Sequence, residues 1–222
     1  MPEKKYSNSY QSGSLSFEYY NDGEKIITNC GYGSNISPKA RLLSRLTSAQ
    51  STLCLNDTSL VKFERNKMLN NAFGYSLKGK FRILDENFEE NESQIVASAS
   101  HNAYINNYGY IHKRQIILNK KNNTLKGTDE LIKKKNIKNV NFCIRFHLYP
   151  GLDGTKTISG NSILIKIKKN KSLIFTVNNH SLSLEKSIFL GRNKILNNLC
   201  IAISDKLFDE NKVISWEIKK NI

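Results

Sequence analysis

The sequence predicts an all-β protein, specifically a large antiparallel β-sandwich of two or more stacked sheets. Short segments in which apolar and polar residues alternate recur along the 222-residue chain, as in strands that bury one face. Turn-forming Asn, Asp and Gly residues separate these segments at near-regular intervals, which is typical of a sandwich. No long amphipathic helical pattern alternates with the strands, so a parallel α/β sheet is disfavoured.

The clearest strand covers residues 142–149 and ends at Pro150-Gly151. Successive side chains of a strand point to opposite faces of the sheet, so this segment has one apolar and one polar face. The apolar face comprises Phe142, Ile144, Phe146 and Leu148, and the polar face comprises Cys143, Arg145, His147 and Tyr149. We expect the apolar face to pack against a second sheet and the polar face to carry chemistry.

The remaining elements follow in order along a single predicted domain, residues 1–222. Before the clearest strand we predict strands at 14–20 and 25–28, a loop at 31–41, and a hairpin of 52–55 with 60–63 around Asn56-Asp57. A long connection or insertion follows at 64–93. Further strands are predicted at 95–99, 111–118 and 124–127, with a turn at Asn106-Asn107 between the first two. After it we predict strands at 163–167, 173–177, 182–189, 199–203 and 213–218, with a turn at 169–171.

The chain carries a formal net charge of +15, which favours a polyanionic partner. Nucleic acid, an anionic membrane surface and an acidic polysaccharide all fit that charge. The alternative is that the many lysines, found with abundant Asn and Ile, reflect only the composition of an AT-rich genome. No base-stacking motif is present, so nucleic acid is the least favoured partner.

The four cysteines, Cys30, Cys54, Cys143 and Cys200, form no CxxC pair and lie in or beside apolar segments. We therefore expect buried thiols, neither a zinc site nor a disulfide framework. The amino terminus lacks an apolar signal region and no segment is apolar enough to span a membrane, so the sequence as written predicts a cytoplasmic location.

Two groups of residues are candidates for proton transfer and anion binding. His101 ends a predicted strand beside Asn102 and Tyr104, and His147 shares a strand face with Arg145 and Tyr149. Imidazole exchanges a proton near neutral pH, and Arg holds a carboxylate through two hydrogen bonds. The alternative is that Arg145 and His147 form a structural hydrogen-bonded pair between sheets. His112 and His180 are expected to be structural, and no metal-ligand spacing occurs.

Several short motifs occur in a recognisable order. They are Gly13-Ser14-Leu15-Ser16-Phe17-Glu18, Ile27-Thr28-Asn29-Cys30-Gly31, Ser100-His101-Asn102-Ala103-Tyr104, His112-Lys113-Arg114, Leu125-Lys126-Gly127-Thr128-Asp129, and the segments 46–53, 145–150, 183–190 and 213–218. In this order they resemble the carboxy-terminal part of heparinase II/III-like proteins. The resemblance implies a polysaccharide lyase that cleaves uronate-containing glycans by β-elimination, and it suggests a location in the periplasm or cell envelope.

In that family a helical toroid precedes the β domain and carries much of the catalytic machinery. The present sequence starts at the β domain, so we expect either a split gene product that works with a separately encoded toroid or a fragment of a lyase. Within this chain we expect catalytic roles for His101, Tyr104 and His147. Contacts to the acidic polysaccharide are expected from Arg145, which would hold the uronate carboxylate, and from Asn102, Tyr149, Gln11 and Gln50.

The sequence departs from the family pattern at three positions. Gln11 and Gln50 stand where the family commonly has histidine, and Asn29 stands where it has aspartate. In the heparinase II branch similar positions hold a structural zinc, and neutral amides are poor replacements for those ligands. We therefore predict no metal and no cofactor, and a chain that is weak or inactive alone. The alternative function is a non-catalytic module that binds acidic polysaccharide.

Overall fold

The computed structural model describes residues 7–64, 66, 68, 70, 76–136, 139–168, 171–191 and 193–221. Within them, two large antiparallel sheets pack face to face, beside a small two-stranded sheet. The predicted all-β sandwich is therefore confirmed. The described residues include no helix long and apolar enough to cross a membrane.

Sixteen strands and three short helical segments make up the described fold. The strands are β1 (Tyr19–Asn21), β2 (Glu24–Thr28), β3 (Leu53–Leu55), β4 (Lys62–Phe63), β5 (Leu77–Lys78), β6 (Ile83–Glu90), β7 (Gln94–His101), β8 (Tyr110–Asn119), β9 (Thr124–Lys133), β10 (Val140–Leu148), β11 (Asp153–Lys156), β12 (Ser162–Lys168), β13 (Lys171–Val177), β14 (Leu182–Gly191), β15 (Lys194–Leu207) and β16 (Lys212–Lys220). The helices are α1 (Pro38–Leu43) and α2 (Ile105–Tyr108), and Thr47–Ala49 forms a 3-10 turn.

The six-stranded sheet has the order β1-β2-β10-β15-β14, and β3 pairs with β10 beside this path. The eight-stranded sheet has the order β11-β12-β13-β16-β9-β8-β7-β6. All neighbouring strands in these two sheets pair antiparallel, both the consecutive pairs such as β8-β9 and the pairs distant in sequence such as β10-β15.

Strand β10 lies in the middle of the six-stranded sheet and behaves as its alternation predicts. Ile144, Phe146 and Leu148 are completely buried between the two sheets. The Phe146 ring meets Trp216 of the opposing sheet edge-to-face with ring centroids 4.8 Å apart. Such aromatic pairs bury much apolar area and stabilise the packing of one sheet on the other.

The segment before β1 does not form the strand predicted at 14–20. Leu15 adopts a positive φ of 61°, so the chain bends there and only the last residues of the segment are extended. Phe17 nevertheless reaches the core, where it stacks on Trp216 with centroids 5.6 Å apart. The prediction of a loop at 31–41 is also incomplete, because Ser37 caps α1 and Pro38 begins it.

The predicted hairpin of 52–55 with 60–63 is wrong, although the chain does turn at Asn56-Asp57 with positive φ. β3 pairs with β10 and β4 pairs with β5, because longer-range partners satisfy their backbone groups. The interval 64–93 contains β6, an eight-residue edge strand. Asn106 and Asn107 lie in α2, where a turn was predicted. The turn predicted at 169–171 falls mostly outside the described residues.

The eight-stranded sheet extends beyond the sheet that covers it. At its β6 edge, Phe88 is opposite Ala97, Ala97 is opposite Ile116, and Ile116 is opposite Gly127. The face they share is the inner one, because the Trp216 ring lies directly over Gly127. Phe88 on this face is 67% exposed, so the inner face is left uncovered at this edge.

Candidate functional site

The structure places the predicted site residues in three regions. His101, Asn102 and Tyr104 lie at the end of β7, against the inner face of the eight-stranded sheet. Arg145, His147 and Tyr149 lie on or just after β10 and face away from the core. Gln11 and Gln50 line a groove formed by the segment before β1 and the end of the 3-10 turn.

The first region contains a buried polar network centred on Asp129 of β9. Its carboxylate accepts hydrogen bonds from His112 Nε2 at 2.7 Å, Arg114 Nε at 2.8 Å, Arg114 Nη2 at 3.1 Å and Trp216 Nε1 at 2.9 Å. Burial acts to raise the pKa of Asp129, but Arg114 and His112 lower it below its usual value. The carboxylate therefore stays ionised, and its charge is matched by the bidentate guanidinium.

Arg114 links this network to two distant segments. Its Nη1 donates to the carbonyl oxygens of Leu15 and Ser51, both at 2.8 Å. The guanidinium also lies 5.6 Å from the centroid of the Phe17 ring. A single buried cation therefore fixes the bend before β1 and the segment after the 3-10 turn, and these two segments carry the groove residues.

The hydrogen bonds assign the protonation of His101 and His112. The Ala103 N–H donates to His101 Nδ1 at 3.4 Å, so the His101 proton is on Nε2, which donates to His112 Nδ1 at 3.3 Å. His112 Nε2 then donates to Asp129. Burial lowers the pKa of His101 well below its usual value, and the charge of Arg114 lowers it further. Both rings are completely buried, and this favours a structural role.

The neighbours of His101, Tyr104 and Asn102, also make hydrogen bonds to the backbone of the fold. Tyr104 is 2% exposed and donates through its hydroxyl to the Leu53 carbonyl at 2.9 Å. Burial raises the pKa of the Tyr104 phenol well above its usual value. The Asn102 side-chain oxygen accepts from the Arg82 backbone N–H at 2.8 Å. The catalytic and binding roles predicted for this group remain predictions.

His147 is 3% exposed and is held by residues from several elements. Its Nε2 donates to the Ser48 carbonyl at 3.1 Å, and its Nδ1 accepts from the Ser187 hydroxyl at 3.1 Å. The Cys30 thiol lies 3.4 Å from the same Nδ1. Burial lowers the pKa of His147 to about 4, so the ring is neutral at pH 7. Burial also raises the pKa of the Cys30 thiol to about 11, so it is not a reactive thiolate.

Arg145 is better placed to meet a ligand than His147. Its side chain is 18% exposed and pairs through Nη2 with Asp57 Oδ1 at 2.9 Å. Its buried Nη1 has no hydrogen-bond partner among the described residues. The guanidinium is mostly buried, whereas Asp57 is 74% exposed and can move into solvent when another anion approaches. Tyr149 contacts Phe189 and lies near Lys25.

The third region is an open groove of about 490 Å³, the volume scale of a small-ligand site. It is lined by Ser9, Tyr10, Gln11, Gly13, Ser16 and Gln50. Gly13 is required at its position, because a Cβ atom there would lie 2.8 Å from Gln50 Cγ. The described residues of the lining are uncharged, although the molecule as a whole carries a large positive charge.

The three amides that replace metal ligands of the family are committed to the backbone. Gln11 Nε2 donates to the Gly31 carbonyl at 3.3 Å, and Gln50 Nε2 donates to the Ser44 carbonyl at 2.8 Å. Asn29 Oδ1 accepts from the Ser51 N–H at 2.8 Å. These residues do not fit a zinc ion, and the described part of the chain contains no group of three or more His, Cys, Asp or Glu side chains arranged to hold a metal.

Sequence reasoning missed the residues that connect these regions. Asp129 and Trp216 were recognised only as parts of motifs, and Arg114 only as a neighbour of His112. Their partners are 15 to 99 residues away in sequence, so no local pattern brings them together. Tyr10 and Gly13, which lie within two residues of Gln11, were the available signal for the groove.

The molecule is a β-sandwich domain, because two antiparallel sheets stack face to face. A polar groove lies at the edge of its core. The model of the heparinase II/III-like C-terminal family matches residues 1–217, and the chain belongs to that family.

Solved structures share this fold at low sequence identity. The heparan sulfate lyase HepC from Pedobacter heparinus is similar with a TM-score of 0.73 and 16% identity, and a heparinase III structure is similar with a TM-score of 0.70 and 15% identity. Each match covers 95% of this chain and 30% of the other chain. The present chain thus spans less than a third of those proteins. A comparison of the sequence with curated proteins gives no match.

Proposed function

We propose that this chain is the β-sandwich part of a polysaccharide lyase that acts on uronate-containing acidic glycans by β-elimination. The observation that carries the proposal is the family match over residues 1–217. The similar solved structures include a heparan sulfate lyase, and the net charge of +15 suits an acidic glycan.

β-Elimination requires neutralisation of the uronate carboxylate, a base for the C5 proton and an acid for the leaving oxygen. All four histidines lie in the described part of the chain, and each is buried or, in the case of His180, has a side chain only 5% exposed. We therefore propose that His101, Tyr104 and His147 act in catalysis only if a partner domain opens their surroundings, and that the main proton-transfer groups come from a helical domain.

The uncovered inner face at the β6 edge is our proposed docking surface for that helical domain. Phe88, Ala97 and Ile95 offer apolar area, and helices commonly cover the face of a sheet. Five of the 19 acidic residues, Asp85, Glu86, Glu89, Glu90 and Glu92, lie on or beside β6. A helical surface with basic residues around an apolar stripe would complement this edge.

The role proposed for Arg145 is to hold the uronate carboxylate. The partial exposure of its side chain and the exposed position of its partner Asp57 support that role. Arg145→Ala should weaken the binding of a uronate oligosaccharide by about tenfold, because one charge-assisted hydrogen-bonded pair is lost. Calorimetry with the oligosaccharide measures this change.

The matched ligand is the same oligosaccharide with its carboxylates reduced to alcohols. Its affinity should be low for the unchanged chain and should not fall further in Arg145→Ala. Lys194→Ala, which removes a charge from an exposed position on β15, is the matched control variant. An equal loss of affinity in both variants would mean that only overall charge matters and would contradict the role of Arg145.

A non-catalytic module that binds acidic polysaccharide is the second candidate. The burial of His101, His112 and His147 favours it, because none of these rings can reach a substrate as the chain stands. The two candidates differ in whether unsaturated uronate forms when the helical domain is present, since that product is made only by the lyase.

A further inference from the structure

Two of the four cysteines face each other across neighbouring strands of the six-stranded sheet. Cys54 on β3 is the direct partner of Cys143 on β10 in an antiparallel ladder. Further along the same ladder, the Arg145 N–H donates to the Thr52 carbonyl at 3.1 Å. Hydrogen-bonded pairs recur every second residue, so Cys54 and Cys143 form such a pair, with their Cα atoms about 5.5 Å apart. A disulfide bond can span this separation.

The bond between these two residues would be a labile one. Residues directly opposite each other share a face of the sheet, with Cβ atoms about 4.5–5.5 Å apart, whereas a disulfide brings them to about 3.5–4.5 Å. The strands must therefore move slightly closer. The Cys54 thiol would also give up its hydrogen bond to the Thr58 carbonyl, which is 3.0 Å long. Disulfides under such strain are more easily reduced than structural ones.

Neither of the other two cysteines has a thiol opposite it. Cys200 on β15 is opposite His147 and Glu185 in its two ladders, and Cys30 lies after the end of β2. All four thiols are free in this structure. The register of the strands therefore selects a single pair, which the spacing of the cysteines along the sequence does not show.

Cys143 is the member of the pair that a small oxidant can reach. Cys54 is 1% exposed, whereas Cys143 is partly exposed on the outer face of the sheet. Burial raises the pKa of both thiols, that of Cys54 to about 12, and the charge of the nearby Arg145 guanidinium acts to lower both. Exchange therefore begins slowly at Cys143, and Cys54 is the second thiol to react.

We propose that Cys54 and Cys143 form a reversible disulfide by exchange with a small-molecule disulfide such as oxidised glutathione. The Cys143 thiolate attacks one sulfur of the oxidant, which forms a mixed disulfide and releases one glutathione thiolate. The Cys54 thiolate then attacks the Cys143 sulfur, and the second glutathione thiolate leaves. Two electrons pass from the protein to the oxidant, and the two cysteine protons end on the two glutathione thiols. The proposal does not depend on the proposed function.

The bond would join β3 to β10 and close a loop of about 90 residues. Closing so long a loop lowers the conformational entropy of the unfolded chain and so favours the folded one. The midpoint of urea unfolding should therefore be higher for the oxidised chain by roughly 1 M. The bond would also fix the start of the turn that carries Asp57, the ion-pair partner of Arg145.

The test equilibrates the folded chain with glutathione at a series of reduced-to-oxidised ratios, blocks the remaining thiols with iodoacetamide and digests the chain with trypsin without reduction. The four cysteines fall in four different tryptic peptides, 26–39, 46–62, 139–145 and 195–206, so mass spectrometry distinguishes every pairing. As the oxidised fraction rises, peptides 46–62 and 139–145 should become linked about tenfold more than any other two. The link should disappear when reduced glutathione is restored.

Cys200→Ala keeps the pair, so this matched control should still form the link. Cys54→Ala lacks the second thiol and should stop at the mixed disulfide of Cys143 with glutathione. In the unchanged chain, that mixed disulfide without a link to peptide 46–62 would overturn the inference, because Cys54 would then be unable to reach Cys143. Thiols that stay unmodified at every ratio, equal pairing among the four peptides, or a link that reduced glutathione cannot remove would also overturn it.

Discussion

Asp129 is the residue whose environment explains most of the site. It is completely buried, and three side chains from β8 and β16 donate to it. Through Arg114 it holds the carbonyls of Leu15 and Ser51, and so it positions the two segments that form the groove. A buried carboxylate of this kind is stable only while all its donors remain in place.

Asp129→Asn should lower the free energy of unfolding by about 3–5 kcal/mol, because the buried Arg114 charge loses its counter-ion. Urea unfolding followed by tryptophan fluorescence measures the change. Asp153→Asn, at an exposed position on β11, is the matched control and should change the stability by less than about 0.5 kcal/mol. A similar small effect in both variants would mean that the network does not organise the fold.

The lowered pKa of His147 sets the direction in which the free energy of unfolding changes with pH. Its pKa is about 4 in the folded chain and near 6.5 when unfolded, so between these values the unfolded chain binds the proton more readily. The free energy of unfolding should therefore decrease as the pH falls from about 6.5 to about 4, with His147 contributing about 3 kcal/mol at most.

His147→Gln cannot take up this proton, and its curve of unfolding free energy against pH should be flatter over the same range. The remaining slope belongs to His101, His112 and His180, whose pKa values are also lowered by burial. A curve of unchanged slope in His147→Gln would show that the ring is not buried in its neutral form.

At the scale of single elements, the contact between β9 and β16 sets the packing of the core. Gly127 on β9 lies under the Trp216 ring, and a Cβ atom at this position would come within 2.0 Å of the ring. Trp216 is also the donor to Asp129 and the partner of Phe146 in the opposing sheet. Glycine at residue 127 therefore allows one ring to join the polar network and the apolar core.

Gly127→Ala should lower the free energy of unfolding by about 3 kcal/mol, because the Trp216 ring must move away from its partners. Gly154→Ala on the edge strand β11 is the matched control, since its added methyl would meet only the flexible ends of Leu184 and Leu199. Thermal unfolding of the two variants checks this. Equal melting temperatures would contradict the close packing of Trp216 over β9.

The elements that could be predicted from the sequence are those whose pattern is local. β10 and β13 alternate regularly because one face of each is buried, and their apolar residues identify the core. β6 could not be predicted, because an edge strand with exposed acidic residues on both faces has no alternation. The hairpin predicted from 52–63 failed because pairing of β3 with β10 depends on contacts between residues about 90 positions apart.

The residues of the site show the same difference between features set by local sequence and features set by distant contacts. The motifs identified the family and the groove residues Gln11 and Gln50, because these lie within short, recognisable segments. The burial of His101 and His147 could not be predicted, because the residues that cover them, such as Phe81, Ser48 and Ser187, come from other parts of the chain. Chemical type is visible in the sequence, whereas solvent access depends on the assembled fold.

At the scale of the whole molecule, the uncovered β6 edge and the neutral groove suggest a domain that acts together with another. The chain supplies a sandwich, a polar groove and, in Arg145, a partly exposed guanidinium. It offers no exposed imidazole among its four histidines. On our account, the helical domain docks on the face around Phe88 and completes the catalytic site.

The most direct test is the ultraviolet absorbance of unsaturated uronate formed from an unsulfated uronate polysaccharide, measured with this chain, with a helical toroid domain of the family, and with both. Our account predicts product only with both, and a large loss of product when Phe88→Asp places a charge on the docking face. Phe208→Asp, at a similarly exposed position after β15, should have no effect. Full product from the helical domain alone, or a mixture that binds the polysaccharide without forming product, would contradict the account.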